Sequence, residues 1–268
     1  MFEIRQSLPK KTRVMIGAAT IGLLLVIWIA ITASGLVSPK LLPGPMNLAH
    51  SFPKMWNEPN FMAMNTLQSL FRITAGFVMA GLVAVPLGIL MGAFTPVRAA
   101  IDPIIGPMRF LPIAAVVPIF ILWFSFGESM KISLLFLGTF VYLLPLVVDT
   151  VDQVNDVYLK TAATLGASRW QVIRTILLPA SLPSIAEALR VMYGIGWTYV
   201  MLAEFVTEEG KGYAGIGYLI NRTRRFGDLS DVLVCVALIL VVGVVVDRAL
   251  YYLNRQLFAW THKGGAHG

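Results

Sequence analysis

The 268-residue chain is 57% hydrophobic and 13% charged, with a mean hydropathy of +0.76 and a formal net charge of +7. So few polar groups cannot clothe a water-soluble globule of that size, which excludes a soluble fold and leaves a chain with several membrane spans. The positive charges are dispersed without basic–aromatic interleaving, which argues against nucleic acid as a partner and fits contact with anionic lipid headgroups.

A bilayer core takes about 20 apolar residues per helix. Runs of that kind occur at 14–37, 62–93, 104–126, 131–150, 179–206 and 229–252, predicting an all-α membrane protein of about six spans. Lys10, Lys11 and Arg13 precede the first run as they would a secretory signal. Its length exceeds the roughly 7–15 residues of a signal core, so it is expected to stay as an anchor. Leu41 to Trp56 is proline-rich, with Met46, Leu48, Ala49 and Phe52 near helical spacing, which predicts a short helix lying at the outer membrane interface.

In the second run Gly76, Ala80, Ala84, Gly88 and Gly92 recur every four residues, a stripe of small side chains on which another helix can approach closely. Pro86 predicts a kink in the same helix. The third run carries Arg109 and three prolines, Pro107, Pro112 and Pro118, and the fifth carries Pro183, Glu187, Arg190 and Glu204. A charge at a helix centre costs roughly 2.5–3.5 kcal/mol on insertion scales, so each of these needs a partner or water. Glu187 and Arg190 sit three apart and are expected to pair with each other. Arg109 and Glu204 have no partner close in sequence and are candidates for a translocation path, where an arginine suits an anionic solute. The competing account has Arg109 snorkelling to the interface.

Between the fourth and fifth runs lies KTAATLGASRWQVIRTILLP, Lys160 to Pro179, a basic and glycine-broken helical pattern. It divides into a piece from Val157 to Leu165, a turn at Gly166, and a piece to Leu178 capped by Ser168. Ala162, Ala163 and Gly166 present a low-profile surface suited to a groove, while Trp170, Ile173 and Leu177 share a face that can pack on the membrane domain.

From Thr207 to Asp228, Gly210, Gly212, Gly215 and Gly217 permit tight backbone, and Arg222, Arg224 and Arg225 form a basic patch. The patch is either a contact for a soluble partner or a run facing solvent and headgroups, with the glycines shaping a turn. Cys235, the single cysteine, lies in the last apolar run, where a buried thiol is expected. His50, His262 and His267 fall outside the runs, so no intramembrane metal cluster is expected from them, and no nucleophile–base constellation indicates an enzyme.

Six spans put both termini on one side. Ten basic residues fall on that side (Arg5, Lys10, Lys11, Arg13, Arg98, Lys160, Arg169, Arg174, Arg255 and Lys263) and seven on the other (Lys40, Lys54, Lys131, Lys211, Arg222, Arg224 and Arg225). With the amino-terminal tail tipping the balance, both ends are expected in the cytoplasm. A single membrane unit is expected: residues 1–60 as tail, first span and interfacial segment, 61–257 as the core with a cytoplasmic loop at 151–178, and 258–268 as tail.

At these residues the chain resembles the integral-membrane subunits of binding-protein-dependent ABC importers. The loop signature of that family, EAA, then three positions to a glycine and nine more to I-x-x-P, is met here by Ala162, Ala163, Gly166, Ile176 and Pro179, with Thr161 where the family usually has glutamate. SLFRITAGFVMAGLVAVPLGILMG, RFLPIAAVVPIFILWFSFG, GASRWQVIRTILLPASLPSI and GYAGIGYLI look like the nitrate/sulfonate/taurine branch, which also includes bicarbonate permeases, and the likeness runs from about Pro43 to Leu257.

The resemblance implies the type I importer permease fold, a homodimer of this chain, two cytoplasmic ATP-binding subunits, an extracytoplasmic solute-binding protein and a small anionic solute. It also implies that Thr161, Ala162, Ala163, Leu165, Gly166, Ala167, Ser168 and Arg169 form the coupling loop to the ATPase, and it makes Arg222, Arg224 and Arg225 candidates for binding-protein contact. The chain has no G-x-x-x-x-G-K-[ST] phosphate loop, so ATP and Mg are expected to be used by the partner subunits. A secondary transporter or channel for a small anion is the rival reading; it predicts function without ATP and leaves the loop unexplained.

Overall fold

The computed structural model describes residues 9–57, 61–206, 214–225 and 229–260. Among them are eleven α-helices and no strand: α1 (Lys10–Ala33), α2 (Pro45–Asn57), α3 (Phe61–Ala93), α4 (Thr95–Met108), α5 (Ile113–Phe124), α6 (Glu128–Asp152), α7 (Asp156–Thr164), α8 (Arg169–Val172), α9 (Leu178–Phe205), α10 (Ile216–Arg225) and α11 (Leu229–Leu257). A π-helical turn, Ile173–Leu177, joins α8 to α9 without a break.

Five helical stretches are long and apolar enough to cross a membrane, and a sixth span arises if α4 and α5 count as one. The run expected as a single helix at 104–126 is therefore two, meeting at 99°. At 1.5 Å per residue α4 rises roughly 21 Å and α5 roughly 18 Å, each short of a 30 Å core. The chain turns between them through Phe110 N–H to Pro107 carbonyl and Leu111 N–H to Met108 carbonyl bonds, and Pro112, lacking an N–H, starts the new direction as the N-cap of α5. The fifth span differs in the opposite sense: residues expected as loop up to 178 extend it into one 37-residue stretch, Arg169–Phe205.

The helix pair α3–α6 forms the centre of the molecule. Lipid is as apolar as leucine, so helices in a membrane associate through close packing more than through burial of hydrocarbon. The small-residue stripe provides it: Ala80 and Ala84 are fully buried. A Cβ added at Gly88 would lie 2.8 Å from the Cβ of Val147, one at Gly92 2.7 Å from that of Val151, and one at Gly76 3.1 Å from the Ile132 carbonyl. α3 continues as one helix through Pro86. Gly88→Val is expected to destabilise the protein by about 1–3 kcal/mol through overpacking, read as a lower melting temperature in detergent. Gly194→Ala, which meets no atom within 4 Å, serves as the control that leaves it unchanged.

α9 packs on the same pair and divides the interior in two. Near the end that carries α7, called the loop end below, Ala84, Leu144, Val147, Ile173, Leu177 and Ile185 form one core. Toward the opposite end Met62, Ile73, Leu135, Trp197, Val200, Ile216 and Leu219 form another, and α5 is held there through Val117 and Phe120 against Met130 and Leu134. α2 lies across the opposite end with Met55 turned inward and Met46, Phe52 and Trp56 exposed, as an interfacial helix requires. Lys54 ties it to Asp231 of α11 at 3.2 Å. Cys235 is fully buried.

Candidate functional site

The loop end presents α7 and α8 away from the apolar helices. Asn155 caps α7 by accepting from the Val157 N–H at 2.9 Å. The other end of α7 closes as a Schellman motif: the Ala167 N–H returns to the Ala162 carbonyl at 3.0 Å and the Gly166 N–H to the Ala163 carbonyl at 3.1 Å. This closure needs left-handed backbone at Gly166, and its φ is +75°. Two residues on, Ser168 and Gln171 form a capping box that starts α8. The spacing of the loop signature is thus the spacing of a helix stop and a helix start.

The surface of α7 differs from the expectation. Ala162 is turned inward and buried, so its small side chain lets α7 sit close to its own protein. Ala163, Ala167 and Arg169 line a cleft of about 530 Å³ under α7, shared with Phe94, Asp152 and Val172. Outward face Val157 (61% exposed), Tyr158 and Leu165 (81% exposed). Thr161 is exposed and its hydroxyl donates to the Val157 carbonyl at 2.8 Å, within its own helix. Ile173 and Leu177 are buried as expected, whereas Trp170 is exposed and meets Phe94 edge-on at 6.2 Å.

The π-turn joins this assembly to α9. The Leu178 N–H bonds to the Ile173 carbonyl five residues back, and the widened turn admits Pro179, which has no N–H to continue an α-helical ladder. From Arg169 to Phe205 the helix measures roughly 55 Å at 1.5 Å per residue.

At the opposite end the structure gathers a polar cluster that the sequence reading divided or missed. Glu204, expected as an unpartnered charge on a path, is fully buried. It accepts from Arg72 Nη1 at 2.7 Å, Ser69 Oγ at 2.8 Å and the Gly217 N–H at 2.9 Å. The carboxylate, without a partner close in sequence, finds three partners from distant segments inside the helix packing. Arg72, also fully buried, donates through Nε to Glu128 at 2.7 Å and through Nη1 to the Ala214 carbonyl at 2.8 Å. Lys131 lies 3.6 Å from Glu128. Arg72 is the sole charge between Phe61 and Ala93; that isolation in an apolar run was the signal that it must have a buried acidic partner.

Arg109 stands at the α4–α5 break, exposed, with its carbonyl accepting from the Tyr142 hydroxyl at 3.0 Å. It lines a crevice of about 230 Å³ with Arg98, Asp102 and Asp149. It does not meet Glu204, so the two expected path residues belong to separate places. Glu187 and Arg190 pair at 2.8 Å as expected, and Arg190 also reaches Asp247 of α11 at 2.6 Å and lies over the Tyr251 ring. Arg222, Arg224 and Arg225 occupy the last turn of α10, all exposed, with Arg224 3.4 Å from Asn221. Gly210 and Gly212 lie outside the described residues. Among the described residues no three His, Cys, Asp or Glu side chains are grouped to hold a metal.

The family model for the inner membrane component of binding-protein-dependent transport systems matches residues 84–259. A putative ABC transporter permease of Methanocaldococcus jannaschii is 37% identical over 73% of this chain and 72% of its own length. The taurine transport system permease of Escherichia coli is 31% identical over 94% and 92%, and a putative aliphatic sulfonates transport permease of Bacillus subtilis 30% over 88% and 84%. Among solved structures, the inward-facing MetNI methionine ABC transporter aligns with a TM-score of 0.66 at 16% identity, over 76% of this chain and 97% of that one. These similarities and the loop geometry lead to one assignment: the chain belongs to the inner-membrane permease components of binding-protein-dependent ABC importers and has their type I fold.

Proposed function

We propose that this chain imports a small anionic solute, of the nitrate, sulfonate, taurine or bicarbonate kind, as a homodimer served by two ATP-binding subunits and an extracytoplasmic solute-binding protein. Both termini are placed in the cytoplasm, so that α7 faces the ATPases and α10 faces outward. ATP and Mg act in the partner subunits, and this chain supplies the moving spans. The observation that carries the reading is the exposed α7, closed by Gly166 and joined through a π-turn to a helix long enough to cross the membrane. Val157, Tyr158 and Leu165 then give the ATPase an apolar foothold, and closure of that partner tilts α9 so that inward and outward openings alternate. The solute class is supported by relatives named for taurine, aliphatic sulfonates and, at 28% identity in Synechococcus elongatus, bicarbonate.

The test is reconstitution in liposomes with the candidate ATPase and the binding protein, offered taurine, methanesulfonate, nitrate or bicarbonate. ATP hydrolysis that rises with solute-loaded binding protein supports the importer; solute flux through this chain alone overturns it in favour of a channel or secondary transporter. Arg109 remains the candidate for guiding an anion at the α4–α5 break. Arg109→Gln is expected to lower uptake by about tenfold, the scale of one charge-assisted contact, with ATPase co-purification unchanged. Normal uptake removes it from the path.

A further inference from the structure

The N-terminus of α10 is held by side chains from elsewhere in the chain. Its first three donors are each taken by another helix: the Gly215 N–H by Asn65 Oδ1 of α3, the Ile216 N–H by Ser69 Oγ of α3, and the Gly217 N–H by a Glu204 carboxylate oxygen of α9, at 2.8, 2.8 and 2.9 Å. Ordinarily a helix's own N-cap residue satisfies such groups. A carboxylate placed there is favoured by the helix dipole as well.

Sterics press the same elements together. Gly215 has φ +102°, and a Cβ there would fall on the Glu204 carboxyl group; one at Gly217 would come within 2.8 Å of the Glu204 Cβ. Asn221 adds a further tie, donating to the Phe205 carbonyl at 3.0 Å. Arg72 sits behind Glu204 and extends the contact to Glu128 in the first turn of α6. Arg72, Ser69 and Glu204 are out of reach of water, so a shift of α10 leaves buried polar groups without the partners they have here.

We infer that Glu204 and Arg72 are positioning residues for coupling, which lock α10 onto α9 so that a load applied to α10 reaches the loop end through one continuous helix. The inference rests on the reading above, in which α10 faces the binding protein and α7 the ATPase. Glu204 lies one residue from the end of the Arg169–Phe205 stretch, whose other end follows the Gly166 closure. A rigid rod fixed at both ends passes on displacement; loosened at one end it does not.

The experiment uses the complete transporter in liposomes, carrying Glu204→Gln or Gly217→Ala. The first keeps an oxygen for the Gly217 N–H but weakens the pull of Arg72, and the second leaves every charge in place while pushing α10 off Glu204. The binding protein is loaded with whichever of taurine, methanesulfonate, nitrate or bicarbonate stimulates the wild type. ATPase co-purification and the unstimulated rate are expected to stay within about twofold, while the stimulation ratio falls about tenfold, in the range of measured site–site coupling. A merely structural role lowers yield and both rates together and leaves the ratio intact, and that result overturns the inference. Failure of both variants to assemble also overturns it, since the cluster is then a folding requirement. A wild type that binding protein never stimulates sinks the importer reading itself, which separates the two failures.

Discussion

Gly166→Val is expected to abolish co-purification of the ATPase subunits and reduce ATP-driven uptake to background, with permease still present in the membrane. The space around Gly166 is open, with no atom within 4 Å of an added Cβ, so the effect arises from backbone conformation. At φ +75° an L-residue is strained by roughly 1–2 kcal/mol, and a β-branched side chain fits that region worst. Relief of the strain opens the 6→1 and 5→2 bonds from Ala167 and Gly166, and Leu165 and Ser168 then lose their fixed relation. Gly166→Asn, which tolerates the left-handed region, should retain most of the docking. Co-purification of wild-type amounts of ATPase with the valine variant would show that the closure is not the docking element.

Arg72→Met is expected to be the most destabilising single change in the interior. It strands the Glu204 carboxylate at 0% exposure, and removing one partner of a buried pair costs about 3–5 kcal/mol. The expected readouts are a sharply lowered yield of monodisperse protein and a lower melting temperature in detergent. Adding Glu204→Gln to Arg72→Met should recover most of that loss, since no buried charge is then left without its counterpart and the glutamine oxygen still accepts from Gly217. Glu204→Gln alone is milder because Arg72 keeps Glu128. A double variant no more stable than Arg72→Met would mean that the lost contacts of the arginine, and not the stranded charge, set the penalty.

Where local chemistry is decisive, the one-dimensional pattern was sufficient. The four-residue stripe from Gly76 to Gly92 became the α3–α6 contact, and the pair Glu187–Arg190 formed at the spacing that allows it. Gly166 and Ser168 acted as stop and cap because both roles depend on a few adjacent backbone groups. Pro107, Arg109 and Pro112 stand at the break, but periodicity carries no angle, so the bend of 99° was not legible. The buried cluster was missed because its members come from α3, α6, α9 and the strip before α10, up to 150 residues apart. Glu204 looked unpartnered for the same reason.

The amino-acid sequence by itself determined the membrane class and the apolar runs, which follow from composition, and the loop signature, which follows from spacing along one continuous segment; the family rests on the resemblance that this signature and the longer segments carry. Only the tertiary structure decided that α8, the π-turn and α9 run on as one stretch from Arg169 to Phe205, that Ala162 faces inward while Leu165 faces out, and that Arg72, Glu204 and the start of α10 form one unit. A buried charge declares from sequence that it needs a partner. Which partner it finds is set by the packing of distant helices, because inside lipid the choice is made by proximity and geometry.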